Sequence, residues 1–451
     1  MKIPSQVTEL ISCLEQAGYP AYVVGGCVRD ALLNRAPKDW DVTTLARPEQ
    51  LTQIFAAYPC SEKGLVHGTL VVFIDEEGYE ITTFRADGEY TDHRHPDSVI
   101  FVDDITEDLR RRDFTINAMA YSPIYGLVDP FGGQEDLKRG LIRCVGISGK
   151  RFTEDAFRIM RALRFAAVYD FTFDEETAEG IHALAHTLKS ISGDRKRTEL
   201  IKLLCGKGAG RILREFADVF AVIVPEIAVM VGYDQSNHHH KYDLWEHTVR
   251  AVENVPADPV LRLVMLLHDT GKPSSRTVDE KGEAHFKGHP EVSAKIAQRV
   301  MEELSFDRVT AGRVCSLVDN HDLLMQLNEN KTDEIRSFLR KRLQTLGAEN
   351  LRDIITVNRA DRIATGTRTV EQVDVWTQKL NMILDELLAE KPAFSKNDLA
   401  LTGNDLIALG LRGAEIGKTQ QMLLAMIADG KVKNEREELK KAVKEEKTNC
   451  N

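Results

Sequence analysis

Val7, Leu10, Ile11 and Leu14 recur at helical spacing, which predicts an amphipathic helix over residues 5–17. The pattern then shortens. Tyr22, Val23 and Val24 predict a buried strand, and Gly25 and Gly26 a turn without Cβ atoms, where backbone can approach a ligand closely. Residues 27–33 predict a short helix whose first N–H groups point back at that turn. Pro37 breaks the run, and Asp39-Trp40-Asp41 opens a second strand. Residues two apart on a strand share a face, so Asp39 and Asp41 project together while Trp40 and Val42 turn to the core. Leu51, Ile54 and Phe55 mark another short helix. Residues 65–74 and 79–85 predict a hairpin about a turn at 75–78. Residues 87–97 are polar and unpatterned, hence a loop, and residues 129–133 form a Pro/Gly turn. Residues 141–145 close this first domain, and strand signals stop there. Thr153 is expected to cap a helix over 154–166, with Glu154 and Asp155 in its first turn. Residues 176–230 contain two or three amphipathic helices, which Pro225 ends, and helical periodicity continues towards a highly charged helix at 434–447.

A chain of 451 residues is too long for one core and predicts two to four domains. The net charge of −11 excludes a protein coated in basic surface, although a local patch is enough to hold phosphates. Arg195, Lys196 and Arg197 form such a cluster, extended by Lys202, Lys207, Arg211 and Arg214. The 7 cysteines are scattered and contain no C-x-x-C pair, which fits reduced cytosolic thiols rather than a disulfide scaffold or structural zinc. No apolar signal core and no membrane-length apolar run occur, so a cytoplasmic protein is expected.

Two carboxylates held side by side at Asp39 and Asp41 repel unless a cation lies between them, and a divalent metal is the usual solution. With the glycine turn and helix start beside them, they suit a metal-bound triphosphate. Glu80 is either a third carboxylate for that metal or a solvent-side residue of an edge strand. Arg110, Arg111 and Arg112 either clamp phosphates through their planar forks or form a solvated face paired with Glu107 and Asp108. Asp155 and Arg158 lie three apart and face the same way on a helix. On spacing alone the favoured reading is a surface ion pair, worth a few tenths of a kcal/mol. The chemical reading is an acceptor beside a forked donor. That pair matches N4 and N3 of cytosine, and equally N6 and N1 of adenine, while uracil and guanine present the inverted order. A second constellation comprises His247, His268, Asp269, His289, His321 and Asp361. Each histidine alone reads as an ordinary surface or core residue. His268-Asp269 at a helix end, followed by Gly271, is a stronger signal for a divalent metal that activates water.

Gly25-Gly26-x-x-Arg29-Asp30, Asp39-x-Asp41, Arg111-Arg112-Asp113-Phe114-Thr115-Ile116-Asn117 and Glu154-Asp155-x-x-Arg158 follow one another in this order. The set resembles the bacterial-type (class II) CCA-adding tRNA nucleotidyltransferases and poly(A) polymerases, of the polymerase-β-like nucleotidyltransferase superfamily. Residues 240–362 resemble an HD-type phosphohydrolase domain, and residues 401–418 are similar to the family's C-terminal part. The resemblance implies an α+β fold. A mixed-sheet catalytic head would span 1–145, and a helical neck and body for nucleotide selection and RNA binding 146–232. An HD domain would span 233–370, and a helical body and tail that binds tRNA 371–451. It implies template-independent addition of C, C and A to a tRNA 3′ end from CTP and ATP. Asp39 and Asp41 would hold two Mg2+ ions; Glu80, from its place on the predicted hairpin strand rather than from the resemblance, is taken as a third catalytic carboxylate. Gly25, Gly26 and Arg29 would hold phosphates, and Arg112, Asp113 and Asn117 would grip triphosphate and ribose. Glu154, Asp155 and Arg158 would be the amino-acid template for C and A, which reverses the ion-pair preference. Arg195, Lys196 and Arg197 are assigned to RNA, and the six His and Asp residues to a further divalent metal in the HD domain. Residues 192–200 match a later family motif that includes Arg195 and Glu199, with Asp194 in place of its usual Glu. Poly(A) polymerase and enzymes adding only A or only CC share every motif quoted, and a third reading makes the HD domain the main activity. Oligomeric state is not readable.

Overall fold

The computed structural model describes residues 1–88, 98–235, 240–390 and 396–449. They divide into two compact units, Met1–Pro225 and Glu226–Asn451.

The first unit is built on a seven-stranded mixed sheet. Its strands are β1 (Ala21–Val24), β2 (Val42–Thr44), β3 (Cys60–Ser61), β4 (Thr69–Ile74), β5 (Glu77–Thr83), β8 (Ala120–Ser122) and β9 (Gly126–Val128), in the spatial order β3-β4-β5-β2-β1-β8-β9. β2 and β5 run parallel and the other neighbours antiparallel. β6 (Arg85–Asp87) and β7 (Val99–Phe101) form a separate ribbon, so the predicted 87–97 loop begins inside β6, and residues 89–97 lie outside the described residues. Central β1 is buried along its whole length. Helix α1 (Ser5–Gln16) buries Val7, Leu10, Ile11 and Leu14, the four residues that predicted it. α2 (Gly26–Leu32), α3 (Pro48–Ile54), α4 (Ile105–Arg110) and α5 (Gly133–Arg139) fill the connections.

Several expectations need correction. The hairpin is real, but its first strand starts at Thr69. Leu65–His67 is a 3-10 turn closed by Gly68 in the left-handed region, where a Cβ would meet the Phe101 ring at 2.6 Å. The hairpin turn is the pair Asp75 and Glu76, both at positive φ, the conformation that fits strand twist. Asp39 and Asp41 precede β2 rather than lying in it, and Trp40 is only half-buried.

Residues 148–169 form two helices, α6 (Ser148–Glu154) and α7 (Phe157–Tyr169). Thr153 therefore lies inside α6 and caps nothing. Asp155 is the extended break between the helices, and its own carboxylate accepts the Phe157 N–H at 3.0 Å. Strands also continue past residue 145, because β10 (Leu141–Ile142) pairs with β11 (Thr172–Phe173). α8 (Glu175–Leu184), α9 (Gly193–Leu204), α10 (Ala209–Glu215) and α11 (Ala217–Ile223) complete the unit.

The second unit is almost wholly helical. It comprises α12 (Ile227–Met230), α13 (Leu244–Glu253), α14 (Pro259–Leu267), α15 (His289–Glu303), α16 (Arg308–Asp319), α17 (Thr332–Ala364, interrupted at Gly347), α18 (Val370–Ala389), α19 (Gly403–Ala408), α20 (Ala414–Ala428) and α21 (Arg436–Asn449). A small ribbon, β12 (Thr277–Val278) with β13 (Ala284–His285), precedes α15. Asp243, Asp258 and Asp307 cap α13, α14 and α16 with their carboxylates, which fixes where those helices start. A separate small core, including Leu401, Leu406, Leu423 and Leu439, holds the C-terminal helices. Among the described residues no helix is long and apolar enough to cross a membrane.

Candidate active site and candidate metal centre

The head site starts where β1 ends. Gly25 takes φ +80°, a conformation L side chains rarely adopt, and a Cβ there would lie 2.7 Å from Nη1 of Arg112. Its N–H donates to the Met119 carbonyl, and the Val24 N–H donates to the Asp41 carbonyl, each at 3.0 Å. These bonds draw Asp41 and the Arg112–Asn117 segment up to the turn. Gly25→Ala should therefore destabilise the first unit by about 1–3 kcal/mol through backbone strain, before any effect on ligand. Thermal unfolding of the purified variant checks this.

The turn opens on a cleft of about 430 Å³. Nine expected residues line it: Gly25, Gly26, Arg29, Asp41, Arg112, Asp113, Asn117, Asp155 and Arg158. Asp39, Glu80 and Glu154 are not on its wall. The parallel register of β2 and β5 pairs Val42 with Ile81, so Glu80 lies beside Asp41. Glu80 and both aspartates are exposed. The surrounding protein raises the Asp41 carboxyl above its ordinary range. Arg112 opposes the shift, and the Glu80 and Asp39 carboxylates add to it. Such mutual destabilisation of negative charge is what a bound cation relieves.

One charged chain runs along the floor. Buried Arg29 donates to Asn117, and Asn117 donates to Asp113 at 3.0 Å. Asp113 pairs with Arg161 at 2.6 Å. Burial alone would push the Asp113 carboxyl up, but Arg161 and the Asn117 N–H outweigh it and hold it well below the carboxylate range. Arg110 is an exposed partner of Glu107 at 3.3 Å. Arg111 and Arg112 both pair with buried Asp108, at 3.0 and 3.6 Å, and Arg112 also faces the cleft.

Asp155 and Arg158 make no ion pair with each other. The break at Asp155 takes its side chain off the α7 face. Its Oδ2 lies 3.5 Å from Nη2 of Arg195, and Arg195 stacks 4.0 Å over the Phe157 ring. Glu154 instead pairs with Arg158 at 2.7 Å, and Arg158 also donates to the Arg151 carbonyl at 3.1 Å. An acceptor and a forked donor thus stand side by side on the wall, each held by a different partner. Arg195 is committed to that arrangement, while Lys196 and Arg197 are half-buried on α9.

The second constellation assembles from five places in the second unit. His247 lies on α13, His268 and Asp269 follow α14, His289 begins α15, His321 follows α16, and Asp361 lies on α17. Gly271 makes this possible, because a Cβ there would meet the Ser293 nitrogen and the His289 carbonyl at 2.7 Å. Asp269 sits 3.2 Å from the Nε2 atoms of His247, His268 and His289, 3.5 Å from that of His321, and 2.6 Å from Nζ of Lys272. Asp361 lies 3.0 Å from His247. All six residues are buried except His289, which is half-buried. A cavity of about 880 Å³ adjoins them, lined by Asp269, Lys272, His289, His321 and Asp361 among others. His238 and His239, beside the predicted cluster, lie outside the described residues.

Comparison with known proteins finds matches along the chain. The family sequence model described as "Poly A polymerase head domain" matches residues 21–143. "Probable RNA and SrmB- binding site of polymerase A" matches 170–230, and "HD domain" matches 239–366. The CCA-adding enzyme of Geobacillus kaustophilus is 39% identical over 292 residues, covering 62% of this chain and 70% of that protein. The chain belongs to the CCA-adding enzyme family. The CCA-adding enzyme of Lactobacillus delbrueckii subsp. bulgaricus is 44% identical over 212 residues, 47% of this chain. There the chain spans about half the relative's length, 53%. The crystal structure of the Bacillus stearothermophilus CCA-adding enzyme in complex with CTP superposes with a TM-score of 0.70 and 29% identity, over 100% of this chain and 99% of that one. The Thermotoga maritima CCA-adding enzyme complexed with tRNA shares the fold, with a TM-score of 0.63 and 21% identity over 98% and 96% of the two chains.

Three further residues line the head cleft of this CCA-adding family member without having been expected there: Arg161, Arg164 and Phe165. Arg164 stacks 3.6 Å over the Phe165 ring and pairs with buried Glu199 at 2.6 Å. The signal for two of them was in the sequence, since Arg158, Arg161 and Arg164 repeat every three residues and fall on one helix face.

Proposed function

We propose that the first unit adds C, C and A to the 3′ end of a tRNA from CTP and ATP, releasing pyrophosphate and using no nucleic-acid template. The observation that carries this reading is the Asp155/Arg158 pair, an acceptor and a forked donor on the wall of the cleft that also presents Asp41, Arg112 and Gly25. Asp155 accepts the amino group of cytosine (N4) or adenine (N6), and Arg158 donates to N3 or N1. Uracil and guanine leave both side chains facing like groups, and mispaired polar groups are where strong discrimination arises. Glu154 and Arg195 hold the two readers. Arg112 and Arg29 face the triphosphate with fixed planar donors, which need little ordering on binding. Asp113 and Asn117 hold Arg29 and Arg161 in place and face the ribose.

Asp39 and Asp41, with Glu80 beside them, form the donor set for two Mg2+ ions; oxygen donors of this kind suit that ion. Bound there, the ions would lower the pKa of the attacking 3′-hydroxyl and neutralise the triphosphate. Lys196 and Arg197 remain assigned to the RNA backbone. The four-part division at 1–145, 146–232, 233–370 and 371–451 and a cytoplasmic location complete the proposal. Poly(A) polymerase and A-only or CC-only addition share the same residues, and the shared name of the curated relatives favours the full CCA reaction.

The test offers tRNAs ending before, within and after CCA, with one nucleotide at a time. The proposal expects C, C and A each to be added only at its own step. Repeated adenylation would favour the poly(A) reading. A second activity, metal-dependent phosphoester hydrolysis, is supported by the six His and Asp residues beside a cavity that also presents Lys272 and Arg362. It predicts that His268→Ala loses hydrolysis of a model phosphoester and keeps nucleotide addition.

A further inference from the structure

Arg151 is buried on α6 and does not line the head cleft. A buried guanidinium keeps its charge and has to place its N–H groups on acceptors. Here they reach two regions that lie apart in the sequence. Nη1 donates to Oε2 of Glu154 at 2.5 Å, on the same helix. Nη2 donates to the Arg112 carbonyl at 2.9 Å and also to the Arg111 carbonyl. These bonds pin α6 to the segment that carries Arg112 into the cleft.

The same Glu154 oxygen accepts from Nη1 of Arg158 at 2.7 Å, so one carboxylate oxygen bridges Arg158, the forked donor on the cleft wall, and Arg151. Two further bonds close the cluster. Nη1 of Arg158 donates to the Arg151 carbonyl at 3.1 Å, and its Nη2 to the Arg111 carbonyl at 3.4 Å. Short charge-assisted bonds of this kind are the strong ones and leave little slack. A base that drives Arg158 out of place therefore shifts Glu154 and, through it, the hold of Arg151 on the Arg111 and Arg112 carbonyls. Arg112 is where that shift matters, because its side chain faces the cleft against Gly25. The two carbonyls alone would serve to anchor α6. The shared Glu154 oxygen adds a connection to the base reader.

We propose that Arg151 is a positioning residue that couples base selection to triphosphate placement. A base that satisfies both Asp155 and Arg158 keeps Arg112 in its working position, and a mismatched base releases it. The inference rests on the reading of the first unit as the site of nucleotide addition. Selection then falls on the rate of bond formation as well as on binding, because a misplacement of about 1 Å at reacting groups costs about 10²-fold. Such coupling is reciprocal. The triphosphate half of the site binds its ligand better when the base half is correctly filled, and the converse holds by the same factor.

The test is single-turnover addition to a tRNA lacking its three terminal nucleotides, by full-length wild type and Arg151→Lys, with Mg2+ present and CTP or UTP varied. Lysine keeps the charge but lacks the planar fork that holds Glu154 and the carbonyls together. Arg151→Lys should lower the CTP step rate by about 10²-fold, raise the Kd for CTP by no more than about tenfold, and leave the UTP rate nearly unchanged. Unfolded protein would lower the reaction amplitude rather than the rate. A second measurement needs no variant. Saturating cytidine should tighten the binding of inorganic tripolyphosphate to wild type by about fivefold, and uridine should not. Arg151→Lys that keeps the wild-type CTP rate, or that loses affinity alone, overturns the proposal. So does equal tripolyphosphate affinity with and without cytidine. A wild type that adds no nucleotide overturns the underlying reading as well.

Discussion

Asp39→Ala and Asp41→Asn should each reduce addition of C and A to tRNA by about 10³-fold or more, the scale seen when a principal electrostatic stabiliser of a transition state is removed. They should do so without destabilising the protein. Both side chains are exposed, so little packing is lost. For Asp41 the expected sign is the opposite of the usual carboxylate case. Its pKa is raised in the folded protein, first by the surrounding protein and then by Glu80 and Asp39, against the opposition of Arg112. The folded state therefore binds this proton more readily than the unfolded state. Stability falls as pH rises from the ordinary carboxylate pKa through the raised one, and the penalty persists at neutral pH. Asp41→Asn removes the penalty. Its melting temperature at pH 7 in chelator should equal or exceed that of wild type, while its activity is lost. A variant that kept addition would remove the metal site from the account, and one that lost activity by unfolding would fail the stability half.

Asp155→Ala and Arg158→Ala should each lower CTP and ATP use by about 10²-fold or more while leaving the already poor UTP and GTP use nearly unchanged, so that base discrimination collapses. The reasoning is geometric. Asp155 stands apart because the α6–α7 break removes it from the helix face, and Arg158 because Glu154 holds it at 2.7 Å. Glu154→Gln should have a smaller effect, about tenfold, because Gln can still accept one bond from Arg158 while losing the charge. Single-nucleotide additions with all four triphosphates measure each ratio. Retention of the wild-type ratio in Asp155→Ala would show that base selection lies elsewhere.

The sequence made much of this legible where the signal is local. The α1 stripe, the Gly25 turn, the 69–83 hairpin and the apolar α14 followed by His268-Asp269 each follow from spacing and backbone chemistry within one element. What it hid depends on partners far along the chain. Thr153 looked like a cap because a hydroxyl before two acids is a good start signal. Yet α6 begins earlier, with the Ser148 N–H held by Glu176, 28 residues on. The apparent Asp155–Arg158 ion pair gave way to Arg195, a residue from α9. The two-residue β11 exists only because β10 lies beside it. Arg161 and Arg164 repeat at helical spacing with Arg158, but only the fold shows which face of α7 lines the cleft. The histidines of the second unit were individually weak signals. Their pairing became visible only when five separate segments met around Asp269.

The most direct measurement of the central claim uses a tRNA transcript lacking its three terminal nucleotides, incubated with full-length protein, Mg2+ and all four triphosphates, followed by sequencing of the 3′ ends. The account predicts products ending in CCA with no further extension, and no product from Asp39→Ala. Runs of A, mixed ends containing U or G, or normal CCA ends from Asp39→Ala would contradict it.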